Sequence, residues 1–238
     1  METVELMPAA TFLQEMKTKL DHDPVSHHIL FTKMAGRRLS GTQLKRFAVQ
    51  WYKTARDHKL AFPAIILNTP VDDVRFELIE ILDDEYGHGD REKIHAKLLY
   101  RFVKVFFDSD EEVERVPKLP AVTNFGREVM DIWKNGHPVY AFGLHFSLEY
   151  LAKDLHATYS DALAKYEFLS EFHREYFLYH KVAEQQHADY SEYGFLYYSK
   201  LSGENQRLLE EGIEKGIQLL MDLWNDFDAH IFEEPAVI

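Results

Sequence analysis

The chain has 238 residues, 46% hydrophobic and 28% charged, with a formal net charge of −13 and no cysteine. Such a length and apolar content suit one globular domain over 1–238 with a sizeable buried core. The acidic balance argues against nucleic acid as a partner, and the missing thiols exclude disulfides, thiolate zinc sites, iron–sulfur clusters and cysteine nucleophiles.

In chain order, Met1–Leu20 alternates charged and apolar side chains, which fits neither a signal peptide nor a membrane span. No later apolar run is long enough to cross a bilayer, so no membrane partner is expected, and a cysteine-free chain suits the cytoplasm. Apolar residues recur every three or four positions almost throughout, and alternating β-branched runs are missing, so the fold class is all-α. A first helix is expected at about 8–20, ending before Asp23-Pro24, and a second at about 25–35, stopping near Gly36. Ser40 and Gln43 form a capping box for a third helix that runs to about 68, with Pro63 expected to kink or restart it. Pro70 should open a helix over about 71–86. Gly87-His88-Gly89 interrupts the pattern, and Asp90 should cap a helix over about 91–107. Asp108–Pro120 is acidic, holds two prolines and reads as a loop. Further helices are expected at about 121–135, 138–158, 161–200 with a break near 170, and 204–231. The sum is a bundle of about seven to eight helices.

The 13 histidines are about twice what average usage gives, and their placement suggests ligands. His180, Glu184 and His187 share one expected helix. At about 100° per residue, His180 and Glu184 stand about 40° apart and Glu184 and His187 about 60°. All three project from one face within two turns, able to share one metal ion or be divided between two. Imidazole with carboxylate suits iron, manganese or zinc. Phe172, Tyr176, Phe177, Val182, Tyr190 and Phe195 make most of this helix apolar, and buried His and Glu need partners. A second segment runs from Asp83 to Ala96, where Glu85 ends one helix and His95 lies just inside the next. The glycine-flanked turn favours His95 over His88 as the partner of Glu85. A third is Glu149 in the apolar stretch Phe142–Ala152. A glutamate there is usually paired or bound to metal. His145, one turn earlier, is a further candidate ligand, but packing as a neutral aromatic is the preferred reading.

In this order and spacing, Glu85-Tyr86-Gly-x-Gly with His95-Ala96, then Glu149, then His180-x3-Glu184-x2-His187 resemble the haem-oxygenase-like diiron oxidases and oxygenases. Their wider fold group includes pyrroloquinoline-quinone synthase, thiaminase II and the chlamydial death-domain-associating protein. The resemblance spans about Phe12 to Phe232. It implies six metal ligands (Glu85, His95, Glu149, His180, Glu184 and His187) holding two Fe ions, with Mn or Zn as substitutes and dioxygen as co-substrate. His88, often asparagine in similar sequences, and His145 stand as alternative ligands. The implied activity is oxidation of a small organic substrate, an amino acid or amine above a fatty acid, by N-oxygenation, carbon–carbon cleavage, desaturation or nitrile formation. An electron donor and a homodimer are further candidate partners. Tyr52, Phe62, Phe146, Tyr150, Tyr179 and Lys153 are candidates for the substrate pocket, with Arg56 and His58 as more distant ones. The competing readings are a metal-free acid–base enzyme of the same fold and a non-catalytic, partner-binding protein. The absence of cysteine counts against the thiaminase branch.

Overall fold

The computed structural model describes residues 5–232, so the ends of the expected 1–238 domain, including Met1–Val4, lie outside the described residues. Within them are ten α-helices, one 3-10 turn and no strand. The all-α class agrees with the sequence; the helix count is higher, for local reasons. The first helix, α1, is Ala9–His22. The Asp23 side chain then accepts a hydrogen bond from Val25 N at 2.9 Å, which stabilises a 3-10 turn over Pro24–His27 and delays α2 to Ile29–Gly36. The capping box forms as expected: Ser40 Oγ accepts from Gln43 N at 3.3 Å, and Gln43 Oε1 from Ser40 N at 2.9 Å. It opens α3, Gly41–Asn68, which continues through Pro63 without the expected restart. Proline lacks an N–H, so the carbonyl of Lys59, four residues back, loses its helical donor.

Pro70 lies outside α4, Asp72–Glu85, because Val71 takes the N-cap position. The helix expected over 91–107 is shorter. Asp90 Oδ1 does accept a cap-like bond, from Glu92 N at 2.9 Å, but it closes a turn. The helix α5 starts only at His95 and ends at Val103. The expected loop at 108–120 contains α6, Asp110–Arg115, capped by Ser109 and anchored by buried Val113. Then follow α7 (Pro120–Asn135), α8 (Pro138–Leu163), α9 (Glu171–Ser199) and α10 (Gly203–Phe232). The break near 170 is real, and α8 runs five residues beyond its expected end.

Helix α8 is central. Its residues 141–149 are all buried, as expected of a helix apolar on every side, and it packs chiefly between α9 and α10. Two glycines let α8 and α10 approach closely. A Cβ on Gly143 would overlap the backbone of Leu209, and one on Gly212 the backbone of Tyr140. This contact lies less than two turns before Glu149 and fixes the height at which α8 presents that side chain. One apolar cluster joins all the long helices. Within it, Phe47 of α3 meets Tyr159 of α8 edge-on at 4.9 Å between ring centres.

Candidate metal centre

Three polar residues from three helices meet at one end of α4. Glu85 is the last residue of α4, His95 the first of α5, and His180 comes from α9. The connection turns back on itself through Gly87, His88 and Gly89, all left-handed, with φ of 74°, 49° and 83°. Gly87 is required there: besides its positive φ, an added Cβ would lie 2.6 Å from Asp90 O and 2.7 Å from Lys93 C. The turn brings His95 Nδ1 to 3.1 Å and His180 Nε2 to 3.5 Å from Glu85 Oε1. It sends His88 outward. His88 is exposed and pairs with Asp83 at 2.7 Å and Asp84 at 3.0 Å, so it is His95 that stands beside Glu85.

A second group forms where α8 meets α9. Glu149, Glu184 and His187 are all buried. His187 Nδ1 lies 3.6 Å from Glu149 Oε2 and 3.8 Å from Glu184 Oε2. In each group one side-chain N or O per residue falls within 4.8 Å of the others. The structure thus brings together all six expected residues, divided as Glu85–His95–His180 and Glu149–Glu184–His187. His145 joins neither. It lies 3.7 Å from Glu149, and its other nitrogen is hydrogen-bonded to Ser191 Oγ at 3.1 Å. Burial lowers its pKa to about 4, so it packs as a neutral ring.

Several features of these residues suit a cation. Among the described residues, buried Glu184 Oε2 and His95 Nδ1 lack any hydrogen-bond partner; His95 is close to Glu85 without bonding geometry. Each of two histidines has one nitrogen anchored from behind. His180 Nδ1 donates to Tyr176 O at 2.8 Å, and His187 Nε2 donates to Asp84 Oδ2 at 2.8 Å. The anchored proton leaves the opposite nitrogen facing the carboxylates, the arrangement that orients imidazole ligands.

The electrostatics agree. Burial raises Glu184 well above the ordinary carboxylate range, with nearby Glu149 adding to the effect against the pull of His187. Burial opposes the charge on His187, but the hydrogen bond to Asp84 and the nearby carboxylates of Glu149 and Glu184 outweigh it and raise its pKa well above the usual range. Without a cation, therefore, this group retains protons to offset its crowded carboxylates. Burial likewise works against ionised Glu85 and Glu149, yet the surrounding histidines keep both low.

Two buried residues of the site escaped the sequence reading. Asp84 joins the groups: besides His187 it lies 3.9 Å from His95 and accepts from Tyr179 OH. Against burial, the His187 and Tyr179 bonds lower its pKa to about 2. His156 lies 3.3 Å from Glu184 Oε1 and stacks on His180 at 4.7 Å. A usable signal existed, since His156 follows Glu149 by seven residues, two helical turns along one face. For Asp84 there was only its place beside Glu85.

A cavity of about 570 Å³ reaches these groups from a rim that includes Asp21, His27 and Asp154. Of the expected pocket residues, Phe62 and Tyr150 line it, and Tyr150 OH donates to Asp21 at 2.9 Å. Tyr52 lines a smaller neighbouring cavity beside Glu85 and His95. Phe146 instead packs on Phe195 at 4.5 Å, and Tyr179 lies 4.8 Å from the His95 ring. Lys153 is exposed and outside both cavities. Arg56 is paired with Glu114 at 2.9 Å and lines only the smaller cavity, whereas His58 lines both.

Residues 45–221 match a family model described as iron-containing redox enzyme. A search of curated proteins returns no significant match. Among solved structures, a CADD-like protein of unknown function from Nostoc punctiforme superposes with a TM-score of 0.77 at 15% identity, covering 94% of this chain and 99% of that one. A TenA homolog from Pseudomonas syringae gives 0.73 at 13% identity, covering 95% and 99%. A TenA family transcription regulator from Silicibacter gives 0.68 at 10%, covering 95% and 99%. At these identities the likeness concerns the fold, which is haem-oxygenase-like.

Proposed function

The chain belongs to the family of iron-containing redox enzymes, and from that premise we propose that it is a non-haem diiron oxidase or oxygenase acting on a small organic molecule. The observation that carries the reading is the pairing of two His/Glu groups, each with ligand atoms within 4.8 Å of one another. In this reading Glu85, His95 and His180 hold one ion, and Glu149, Glu184 and His187 the other. Iron bound there supplies the electrons with which dioxygen is activated.

The chain's own residues do the rest. Tyr176 O and Asp84 fix the tautomers of His180 and His187 and so aim their free nitrogens. Glu184, whose Oε2 has no hydrogen-bond partner among the described residues, would hold a cation in its deprotonated form. Trp51, Phe62, Leu148 and Trp224 wall the cavity, excluding water from the substrate and strengthening every charge interaction inside. A substrate enters past Asp21 and Asp154 and reaches Glu85 and Glu149 at the inner end.

Anaerobic reconstitution with ferrous iron tests this. About two irons per chain are expected, followed by a transient visible absorption on adding oxygen. No iron uptake, or retained activity in Glu184→Ala, would remove the proposal. One observation favours a second reading, metal-free acid–base chemistry. The same protons on Glu184 and His187 would serve a general acid. Turnover of a substrate by chelator-treated protein would select it.

A further inference from the structure

Two neighbours on α3, His58 and Lys59, line both the main cavity and the smaller one and have no task in the function proposed above. Lys59 is only 8% exposed. Its ammonium meets the face of Tyr86, 5.0 Å from the ring centre, and has no ion pair or hydrogen bond among the described residues. Buried ammonium groups are costly unless a counter-charge is present. His58 Nε2 is buried with no hydrogen-bond partner among the described residues. Glu85 is the carboxylate whose charge Lys59 feels, and it stands among the candidate metal ligands; a cation and a ring nitrogen on consecutive residues of one cavity wall thus both lack a hydrogen-bond acceptor among the described residues.

The surroundings define what could supply one. If two divalent ions are bound, they balance Glu85, Glu149, Glu184 and Asp84, and the Lys59 charge is left over. Between this end and the rim the wall is mostly apolar, with Trp51, Phe62, Phe125, Leu148, Leu220 and Trp224. The rim carries exposed Asp21 and Asp154, which repel a second negative charge.

We infer that Lys59, with His58 beside it, forms a subsite for the carboxylate head of a monoanionic substrate whose apolar body fills the cavity. The inference rests on the diiron reading and narrows its substrate class. Lys59 donates to one carboxylate oxygen, and the His58 Nε2–H tautomer donates to the same head. The far end of the ligand, at the acidic rim, is neutral or cationic, so dianions are disfavoured.

The test uses full-length protein loaded anaerobically with ferrous iron, so that no turnover occurs. Hexanoate, hexan-1-ol, hexylamine and adipate are titrated calorimetrically into wild type, Lys59→Met and Lys59→Arg, with iron content and a melting curve recorded for each. In wild type, hexanoate should bind tighter than the other three. Lys59→Met should weaken hexanoate by about tenfold to a hundredfold, the range of a charge-assisted hydrogen bond, and leave hexan-1-ol unchanged. Lys59→Arg should keep the preference. Equal affinities in wild type overturn the inference without recourse to any variant. So does a carboxylate preference that survives in Lys59→Met, as direct attachment to iron would produce. Wild type that takes up no iron overturns the diiron reading separately, while the ligand series on that same protein still reports on Lys59.

Discussion

The Glu149–Glu184–His187 group stands on α8 and α9, two long helices packed along their length, whereas the Glu85–His95–His180 group depends on a left-handed turn to bring the ends of α4 and α5 together. The first of these is buried throughout; in the second, the Glu85 side chain keeps 21% of its exposure. A site on rigid helices inherits its geometry from core packing. A site at a turn inherits it from a few backbone dihedrals, and is easier to disturb without unfolding the bundle. Asp84 touches His187 of one group and His95 of the other, so the two are linked as well as different.

Removing a ligand should have the largest effect. His187→Ala is expected to lower iron content from about two to about one per chain, measured by metal analysis after anaerobic reconstitution. Loss of both ions together would show that the groups cannot be treated separately. Next comes the turn. Gly87→Ala meets both a positive φ and the backbone of Asp90 and Lys93, at a cost of roughly 1–3 kcal/mol for the backbone conformation alone. It should lower the melting temperature by several degrees, at roughly 2–4 °C per kcal/mol for a chain of this size, and empty the Glu85 group selectively. Gly89→Ala, with open space around its Cβ, should do less. If the two variants behave alike, crowding at Gly87 is not what holds the turn.

Asp84→Asn should weaken metal binding by about 10–100-fold in both groups, read by competition with a chelator; an effect confined to one group would deny the link. The smallest effect concerns pH. The folded, metal-free protein holds protons on Glu184 and His187 that the unfolded chain sheds near 4.5 and 6.5. Both raised values contribute stability that is lost as pH rises. His58, His145, His156 and His180 are lowered by burial and act in the opposite sense, but only below 6.5. Above that pH the metal-free protein should therefore lose stability, by at most about 1.4 kcal/mol per pH unit for each proton. The metal-loaded protein, its ligands already deprotonated, should not. Parallel melting curves for the two forms would contradict this.

The two groups were also unequally legible in the sequence. Glu184 and His187 sit on one helix, so periodicity alone aligns them, and Glu149 declares itself as a carboxylate in an apolar run. Pairing Glu85 with His95 required a turn whose shape is set by three left-handed residues. The sequence pattern offers the glycines but not the φ of His88. The same stretch explains the misplaced start of α5, since Asp90 closes a turn where a helix cap was expected. Asp84 was hidden because its role comes from α9, far away in sequence, and nothing local distinguishes it from Asp83. Capping residues such as Ser40 and Gln43 act within four residues, and there the reading and the structure coincide.

Pro63 bears on how much stability α3 leaves unused. A proline inside a helix costs about 3 kcal/mol relative to alanine, yet this one sits exposed in α3, one turn beyond Lys59. Pro63→Ala would restore the donor to the Lys59 carbonyl and should produce a hardier protein, with a melting temperature higher by several degrees. Such a gain lies a single substitution away. Buried Phe62 and Ile65, packed into the core on either side of it, carry α3 past the missing bond.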